Sequence, residues 1–402
     1  MAAQIDELAA KTPVTRDRYV DFLRGTSILV VVFGHWFIGQ VYWQDGIIGT
    51  TSAIGKVSWA WALTWVLMVM PIFFFVGGFS NLVTYRSYRR KGASTASWLR
   101  SRFARLLKPT LVFIGVWVVI QVVLHLTNTG GQSAFLRGMK PPGATVPFGP
   151  LWFLLVYMLV ILIAPAFIRL HDRFGVAVPV VMVVGAIATD VVGFVVGISG
   201  VRYANVLFVW LLPHQLGFFY ADGRLTALPR RALVAMAALG LGALILLTNP
   251  WVFGDAGQRW FTGIGHYPKS LMGTDVEPIS NMWPPTICLA AMSLWSIGAV
   301  MLVREPISRW LERTGPWKAT IVVNSVIMTL FLWHMTAYLV AILVLWPLEF
   351  GQTNATALRW WLERPLWLIL PGIILVGLVA AFGRFERRAT TVQAPAAARP
   401  AA

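Results

Sequence analysis

The chain has 402 residues, of which 57% are hydrophobic and 12% are charged, and its formal net charge is +17. Soluble globular domains carry about a quarter charged residues, so this composition excludes an ordinary soluble protein and indicates a chain that uses lipid as its solvent. The single cysteine, Cys288, excludes an internal disulfide and a multi-cysteine metal site.

Residues 1–19 include acidic side chains and lack the basic-then-apolar order of a cleaved signal, so we expect a cytoplasmic tail there. Ten apolar runs follow, each long enough to cross a hydrocarbon core of about 30 Å as a helix. We therefore predict an all-α fold, a polytopic membrane helix bundle of about ten transmembrane helices, with the lipid bilayer as a partner. The runs lie near 22–43, 58–82, 107–126, 150–169, 175–194, 203–221, 231–248, 285–303, 320–346 and 366–383.

The positions of the basic residues predict the topology of these helices. With both termini in the cytoplasm, the inner segments hold 25 of the 33 Lys and Arg residues. Cytoplasmic loops of membrane proteins carry such an excess, so both termini are predicted to be cytoplasmic. The same bias accounts for the high net charge, and no nucleic-acid partner is expected. The eight outer residues are Lys56, Arg137, Lys140, Arg202, Arg259, Lys269, Arg359 and Arg364.

The first predicted helix carries the strongest candidate residues, Asp21, Arg24 and His35. Ionisable groups inside a membrane span are costly, which makes each one a functional candidate. Arg24 and His35 are eleven residues apart, so they project from one face, about 16 Å apart along the axis. Asp21 lies one turn before Arg24, within reach of a salt bridge. The alternative is an arginine that extends to the interface and a histidine that only bonds a neighbouring helix.

Three more residues are candidates for the same site. His334 lies about fourteen residues into the predicted ninth helix, at about the depth of His35 in the first, so two imidazoles are expected at one level. Arg102 and Arg105 share a helix face at the start of the third helix, where planar guanidinium groups suit phosphate. The alternative for this pair is ordinary positive charge on the cytoplasmic side.

For the remaining polar candidates we expect structural roles; they are His125, His171, His214, His266 and Asp190. The long outer loop 249–284 is rich in aromatic residues and either anchors in the headgroup region or covers a glycan or glycolipid acceptor. Its aromatic residues and histidine are Trp251, Phe253, Trp260, Phe261, His266, Tyr267 and Trp283. The sequence has no His-Glu-x-x-His pair and no Walker loop, so we expect no metal and no ATP-driven pumping.

The spacing of Arg24 and His35 resembles the Arg-x10-His signature of the acyltransferase-3 family of membrane acyltransferases. Three further stretches are similar to family features: Arg102-x-x-Arg105, the Phe- and Gly-rich run 73–79 and the Leu-Trp-Phe-Leu run 151–154. The resemblance extends over residues 18–383.

Two positions depart from the pattern that the resemblance sets. Pro150 stands where many members have His, and Gly77-Gly78 stands where many have Ser-Gly. Both departures bear on the acceptor more than on the reaction.

The resemblance implies an acyl-CoA-dependent O-acyltransferase in a bacterial plasma membrane, most simply one that uses acetyl-CoA and acetylates a hydroxyl of a cell-envelope glycolipid or glycan. The composition is similar to that of actinobacterial members, some of which acetylate glycolipids such as trehalose monomycolate while others acylate macrolides. In this interpretation Arg24, Arg102 and Arg105 bind the donor phosphates, and Asp21 holds Arg24. His35 is general base or nucleophile, and His334 orients the acceptor or moves a proton.

We expect a membrane acyltransferase domain at 20–384 and a disordered cytoplasmic tail at 385–402, where Ala, Pro and Arg predominate. The rival hypothesis is a proton-coupled secondary transporter, because ten helices with buried His and Asp also suit a carrier. The lack of an internal repeat and the arginine cluster at one mouth favour the enzyme.

Overall fold

The computed structural model describes residues 12–13, 16–44, 47–126, 146–249, 266–274 and 279–391. Its helices are α1 (Arg18–Ile38), α2 (Trp61–Leu67), α3 (Met70–Arg90), α4 (Thr95–Leu126), α5 (Leu151–Phe174), α6 (Ala177–Phe194), α7 (Asn205–Ala221), α8 (Arg230–Thr248), α9 (Ile287–Leu302), α10 (Arg304–Trp310), α11 (Thr314–Ser325), α12 (Ile327–Leu345), α13 (Leu358–Leu362) and α14 (Arg364–Thr391). Short 3₁₀ segments lie at Ala53–Gly55, Ser199–Ala204 and Trp346–Leu348.

The structure confirms the predicted all-α polytopic membrane bundle. Within the described residues, eight helical segments are long and apolar enough to cross a membrane, and α9 with α10 makes a ninth if the 51° bend between them lies within one span. The predicted sixth span is helix α7, whose 17 residues extend only about 26 Å. The cytoplasmic placement of both termini stays a prediction.

The first predicted span, 22–43, ends earlier than the apolar pattern indicates. The Asp17 side chain accepts a hydrogen bond from Val20 N and so begins α1, which ends at Ile38. A two-stranded antiparallel sheet follows, β1 (Gly39–Gln44) paired with β2 (Ile47–Ser52). A Cβ at Gly39 would lie 2.6 Å from the Tyr338 hydroxyl oxygen, so the close approach of Tyr338 requires glycine at this position.

The predicted ninth span, 320–346, is two helices. The chain breaks at Val326 between α11 and α12, so His334 lies only seven residues after Ile327. At the other end of the bundle, α14 continues to Thr391, seven residues into the segment expected as a tail. The division into tail, membrane domain and tail stays a prediction, and residues after 391 lie outside the described part.

Glycines bring the central helices together, as is common in membrane bundles. A Cβ on Gly78 of α3 would lie 1.9 Å from the His214 carbonyl oxygen of α7, and one on Gly217 would lie 2.1 Å from the Phe75 carbonyl oxygen. Gly240 of α8 packs equally closely on α9. Helices α3 and α7 therefore cross in backbone contact, and this contact fixes the side chains of α3 that face α1, α4 and α5.

Candidate active site

Two cavities lie next to each other inside the bundle. The first, of about 250 Å³, is lined by Arg24, Arg102 and Arg105 together with residues of α3, α5, α12 and α14, and we call it the arginine cavity. The second, of about 120 Å³, is lined by His35 and otherwise mainly by apolar side chains, and we call it the histidine cavity. The structure thus brings the three predicted arginines into one place, although α1 and α4 are far apart in sequence.

Arg24 is held in the arginine cavity by neighbours on two helices. Its Nη1 lies 3.2 Å from the Asp21 carboxylate, which confirms the expected ion pair, and its Nη2 donates to Ser80 Oγ of α3 at 3.0 Å. The buried Asp21 also accepts from Arg16 Nε at 2.6 Å. Because its position is fixed on both sides, the guanidinium of Arg24 is ordered before any ligand arrives.

Arg102 is positioned by a chain of hydrogen bonds that ends on a third helix. Its Nη2 donates to Asn81 Oδ1 at 2.6 Å, and the Asn81 amide nitrogen lies 3.0 Å from His214 Nε2. Asn81 and His214 are both fully buried. His214 therefore has the structural role expected for it, and through Asn81 it fixes the direction of Arg102.

The two predicted histidines are in direct contact. His35 Nδ1 lies 3.0 Å from His334 Nε2, and the two rings are stacked with their centroids 5.2 Å apart. His334 is fully buried, whereas His35 is partly exposed and lines the histidine cavity. The Trp36 indole donates to the His334 carbonyl oxygen at 3.0 Å, which adds a second link between α1 and α12.

The neighbours of the histidine pair determine its tautomers. His334 Nδ1 lies 2.6 Å from the Phe331 carbonyl oxygen, which can only accept, so Nδ1 of His334 carries a proton. In the neutral ring His334 Nε2 is then the acceptor, and His35 Nδ1 must donate to it. The lone pair of His35 is consequently on Nε2, which no described residue bonds. The arrangement gives the cavity one basic, nucleophilic nitrogen.

Two phenylalanines separate the cavities. Phe153 of α5 and Phe331 of α12 line both, and their rings meet edge to face with centroids 5.6 Å apart. Phe73 and Tyr157 pack on Phe153, with centroid distances of 5.0 Å and 5.8 Å. We call the pair of Phe153 and Phe331 the aromatic partition. Arg24 and His35, which the spacing places on one face of α1, therefore line different cavities on either side of it.

The arginine cavity also contains an acidic residue that the sequence patterns did not indicate. Glu386 of α14 lines it together with Ser80 and Tyr157. Glu386 was missed because it lies among three nearby arginines after the last apolar run, where the composition indicates an exposed tail. Asn81 and Ser80 were missed because single small polar residues are common in helices of membrane proteins.

The other polar candidates have structural neighbours. Buried His171 bonds Asp222 and Gln215 at 2.9 and 2.7 Å, and Arg86 also binds Asp222. Although burial acts to raise it, the pKa of the Asp222 carboxyl is lower than usual because Arg86 and His171 bond the carboxylate.

Asp190 accepts hydrogen bonds from Asn205, Tyr267 and the Ile287 amide at 2.8 to 3.0 Å, which ties α6 to α7 and α9. His266 lies 3.4 Å from the Asn249 amide nitrogen. The side chain of His125 and the four aromatic residues at 251, 253, 260 and 261 lie outside the described part.

Comparison with known proteins adds a family to this geometry. The family model described as an acyltransferase domain matches residues 17–385, which is nearly the whole chain. The match includes both histidines, the aromatic partition and all three arginines, and it ends one residue before Glu386. No curated protein and no solved structure matches the chain.

Proposed function

The chain belongs to the acyltransferase-3 family of membrane acyltransferases, and from this premise we propose that it transfers an acyl group from acyl-CoA to a hydroxyl of a cell-envelope glycolipid or glycan. Acetyl is the simplest acyl group for this reaction. The observation that carries the proposal is the hydrogen bond from His35 Nδ1 to His334 Nε2, which leaves Nε2 of His35 as the basic nitrogen of a residue that lines one cavity while three arginines line the next.

The arginine cavity suits the charged end of the donor. Coenzyme A carries a pyrophosphate and a further phosphate, and arginine binds such groups through pairs of parallel hydrogen bonds. Arg24 and Arg102 are already fixed by Asp21, Ser80 and Asn81. Because less side-chain entropy is lost on binding, this pre-ordering strengthens the contact with phosphate.

The donor's pantetheine arm would then lead from the arginines to His35. Along α1 this distance is about 16 Å, which a long thin arm can span. The aromatic partition lies between the two cavities, so the thioester would reach His35 by displacing the contacting rings of Phe153 and Phe331. A narrow apolar passage of this kind would also keep water away from the thioester.

Two chemical routes are open at His35. As a general base, Nε2 takes the acceptor hydroxyl proton while that oxygen attacks the thioester carbon, and the imidazolium then returns the proton to the departing CoA thiolate. As a nucleophile, Nε2 itself attacks the thioester carbon, and the C–S bond breaks to release the CoA thiolate and leave an acyl-imidazolium. The acceptor hydroxyl oxygen then attacks the acyl carbon, the bond to Nε2 breaks, and the hydroxyl proton goes to the CoA thiolate. In both routes His334 holds His35 in the reactive tautomer and accepts the hydrogen bond that strengthens as positive charge develops.

The lining of the histidine cavity favours a glycolipid over a free glycan as acceptor. Apart from His35, the cavity is lined mainly by apolar side chains, including four methionines: Met68, Met70, Met272 and Met282. Thr64, a polar lining residue, uses its hydroxyl to bond Trp61 O and Leu271 N. Pro150 also lines the cavity, where the resemblance would place a histidine. A sugar without an apolar part would find few partners there, because unpaired polar groups are costly to bury.

Comparative lipid mass spectrometry of cells with and without this protein tests the function. The expected result is a set of envelope lipids that lose one acyl mass when the protein is missing. Purified protein in nanodiscs should release CoA from acyl-CoA when the extracted lipid is added, and His35→Ala should stop this release. His266→Ala is the matched control, because His266 lies in neither cavity. Movement of a substrate across the membrane without covalent change would instead support the rival hypothesis of a proton-coupled secondary transporter.

A further inference from the structure

Glu386 of α14 binds the first turn of α12. Its Oε1 accepts from Met328 N at 3.0 Å, and its Oε2 accepts from Thr329 N and Thr329 Oγ1 at 2.9 and 2.8 Å. Both oxygens accept, as expected for an ionised carboxylate. Backbone N–H groups at a helix start attract anions, so Glu386 fills an anion site at the beginning of α12. Glu386 is buried, with 7% of the residue exposed.

The same carboxylate faces the arginine cavity. Among the described residues that line this cavity, Glu386 is the only acidic one, opposite Arg24, Arg102 and Arg105. Its charge interacts attractively with that of Arg105. The cavity is therefore less positive than its three guanidinium groups alone would make it. This lower charge matters for a ligand with several phosphates, because each uncompensated arginine would slow the release of the product.

Helix α12 connects Glu386 to the reaction centre. Thr329, which Glu386 holds, lies two residues before Phe331 of the aromatic partition and five before His334. The Phe331 carbonyl oxygen in turn sets the tautomer of His334. A shift of the first turn of α12 would therefore move the partition and loosen the contact between His334 and His35.

We propose that Glu386 has two roles that rest on the proposed function: it is the counter-anion that limits how tightly the arginine cavity holds CoA, and it is a positioning residue for the helix that bears Phe331 and His334. The first role depends on its charge. The second depends on where its two oxygens lie. Glu386→Asp keeps the charge and displaces the two oxygens, so its turnover tests the second role, while the CoA affinity of the uncharged Glu386→Gln tests the first.

Glu386→Gln removes the charge and keeps one carbonyl oxygen as an acceptor. We expect this variant to bind CoA at least about threefold more tightly, with a steeper salt dependence, since an attractive partner of the arginines is lost. Glu386→Asp keeps the charge on a shorter side chain. For this variant we expect CoA affinity close to that of the wild type. Turnover should fall, because the shorter carboxylate is displaced from Met328 N and Thr329 N at the start of α12. Isothermal titration with CoA and a CoA-release assay on protein in nanodiscs measure both quantities.

Glu363→Gln is the matched control. Glu363 is also buried, and it lies between α13 and α14. Its carboxylate accepts hydrogen bonds from Gly351 N at 2.8 Å and Arg359 Nε at 2.9 Å, and it does not line the arginine cavity. Its loss should lower the melting temperature and leave CoA affinity unchanged. Glu386→Gln protein that binds CoA no more tightly than the wild type would overturn the counter-anion role, and normal turnover in Glu386→Asp would overturn the positioning role. Wild-type protein that fails to bind CoA would overturn the proposed function and this inference with it.

Discussion

His35 Nδ1 donates its hydrogen bond to His334 Nε2 over 3.0 Å, and this contact joins two residues that are 299 positions apart in the chain. It leaves the other nitrogen of His35 free to take a proton or an acyl group. Among the described residues, fully buried His334 is the hydrogen-bond partner of the His35 ring, so it fixes which nitrogen of His35 is basic.

His35→Ala should leave the protein folded and able to bind CoA, while turnover falls by at least about 10²-fold, the low end for the loss of a general base. If His35 only joined helices, the change would cost about 0.6 kcal/mol of stability and activity would survive. Melting in detergent, CoA binding and turnover should be measured on one sample. A well-folded variant with near-normal turnover would refute the mechanism.

His334→Ala should reduce turnover less than His35→Ala does. The reason is that His35 keeps its reactive nitrogen but loses the acceptor that fixes its tautomer. CoA affinity should not change, because His334 lines neither cavity. Equal or greater loss than in His35→Ala would mean that the two histidines have the opposite roles.

Arg102→Ala and Arg105→Ala should weaken CoA binding more than they slow chemistry, because phosphates lie far from the reacting carbon. Each lost charged contact should cost about 1.5–3 kcal/mol of binding free energy. The control is Arg100→Ala, which removes an exposed arginine of the same helix that lines neither cavity. Normal CoA affinity in both variants would show that Arg102 and Arg105 do not bind the donor and act only as positive charge that sets the membrane topology.

Phe331→Leu should widen the passage between the cavities and raise the rate of acyl-CoA hydrolysis in the absence of acceptor. The smaller side chain leaves space through which water reaches the thioester. Phe113→Leu is the control, because Phe113 is equally buried in the core but lines neither cavity. An equal change of hydrolysis in both variants would mean that the effect is general loosening of the core.

The topology can be tested with single cysteines in intact cells, since the native Cys288 is buried. Tyr203→Cys lies in the segment between α6 and α7 at a position that is 54% exposed, and it should react with a membrane-impermeant maleimide. Lys91→Cys, exposed after α3, should react only after the cells are opened. Reaction of the two cysteines in the opposite order would place the termini outside.

The sequence by itself determined the membrane class and the helical fold, and it selected the candidate site residues. Hydropathy and length decide whether a segment can lie in lipid, and ionisable residues in such segments are few enough to identify by eye. For this reason the sequence alone selects Arg24, His35, Arg102, Arg105 and His334 as candidates.

Only the tertiary structure decided how those residues are connected. The break at Val326, the contact of His35 with His334 and the aromatic partition all depend on how helices far apart in sequence pack on each other. Helical periodicity gives the face of a residue on its own helix but not its partner on another helix. Glu386 shows this limit best, because its sequence neighbours indicate an exposed tail while three of its hydrogen bonds are with the helix that bears His334.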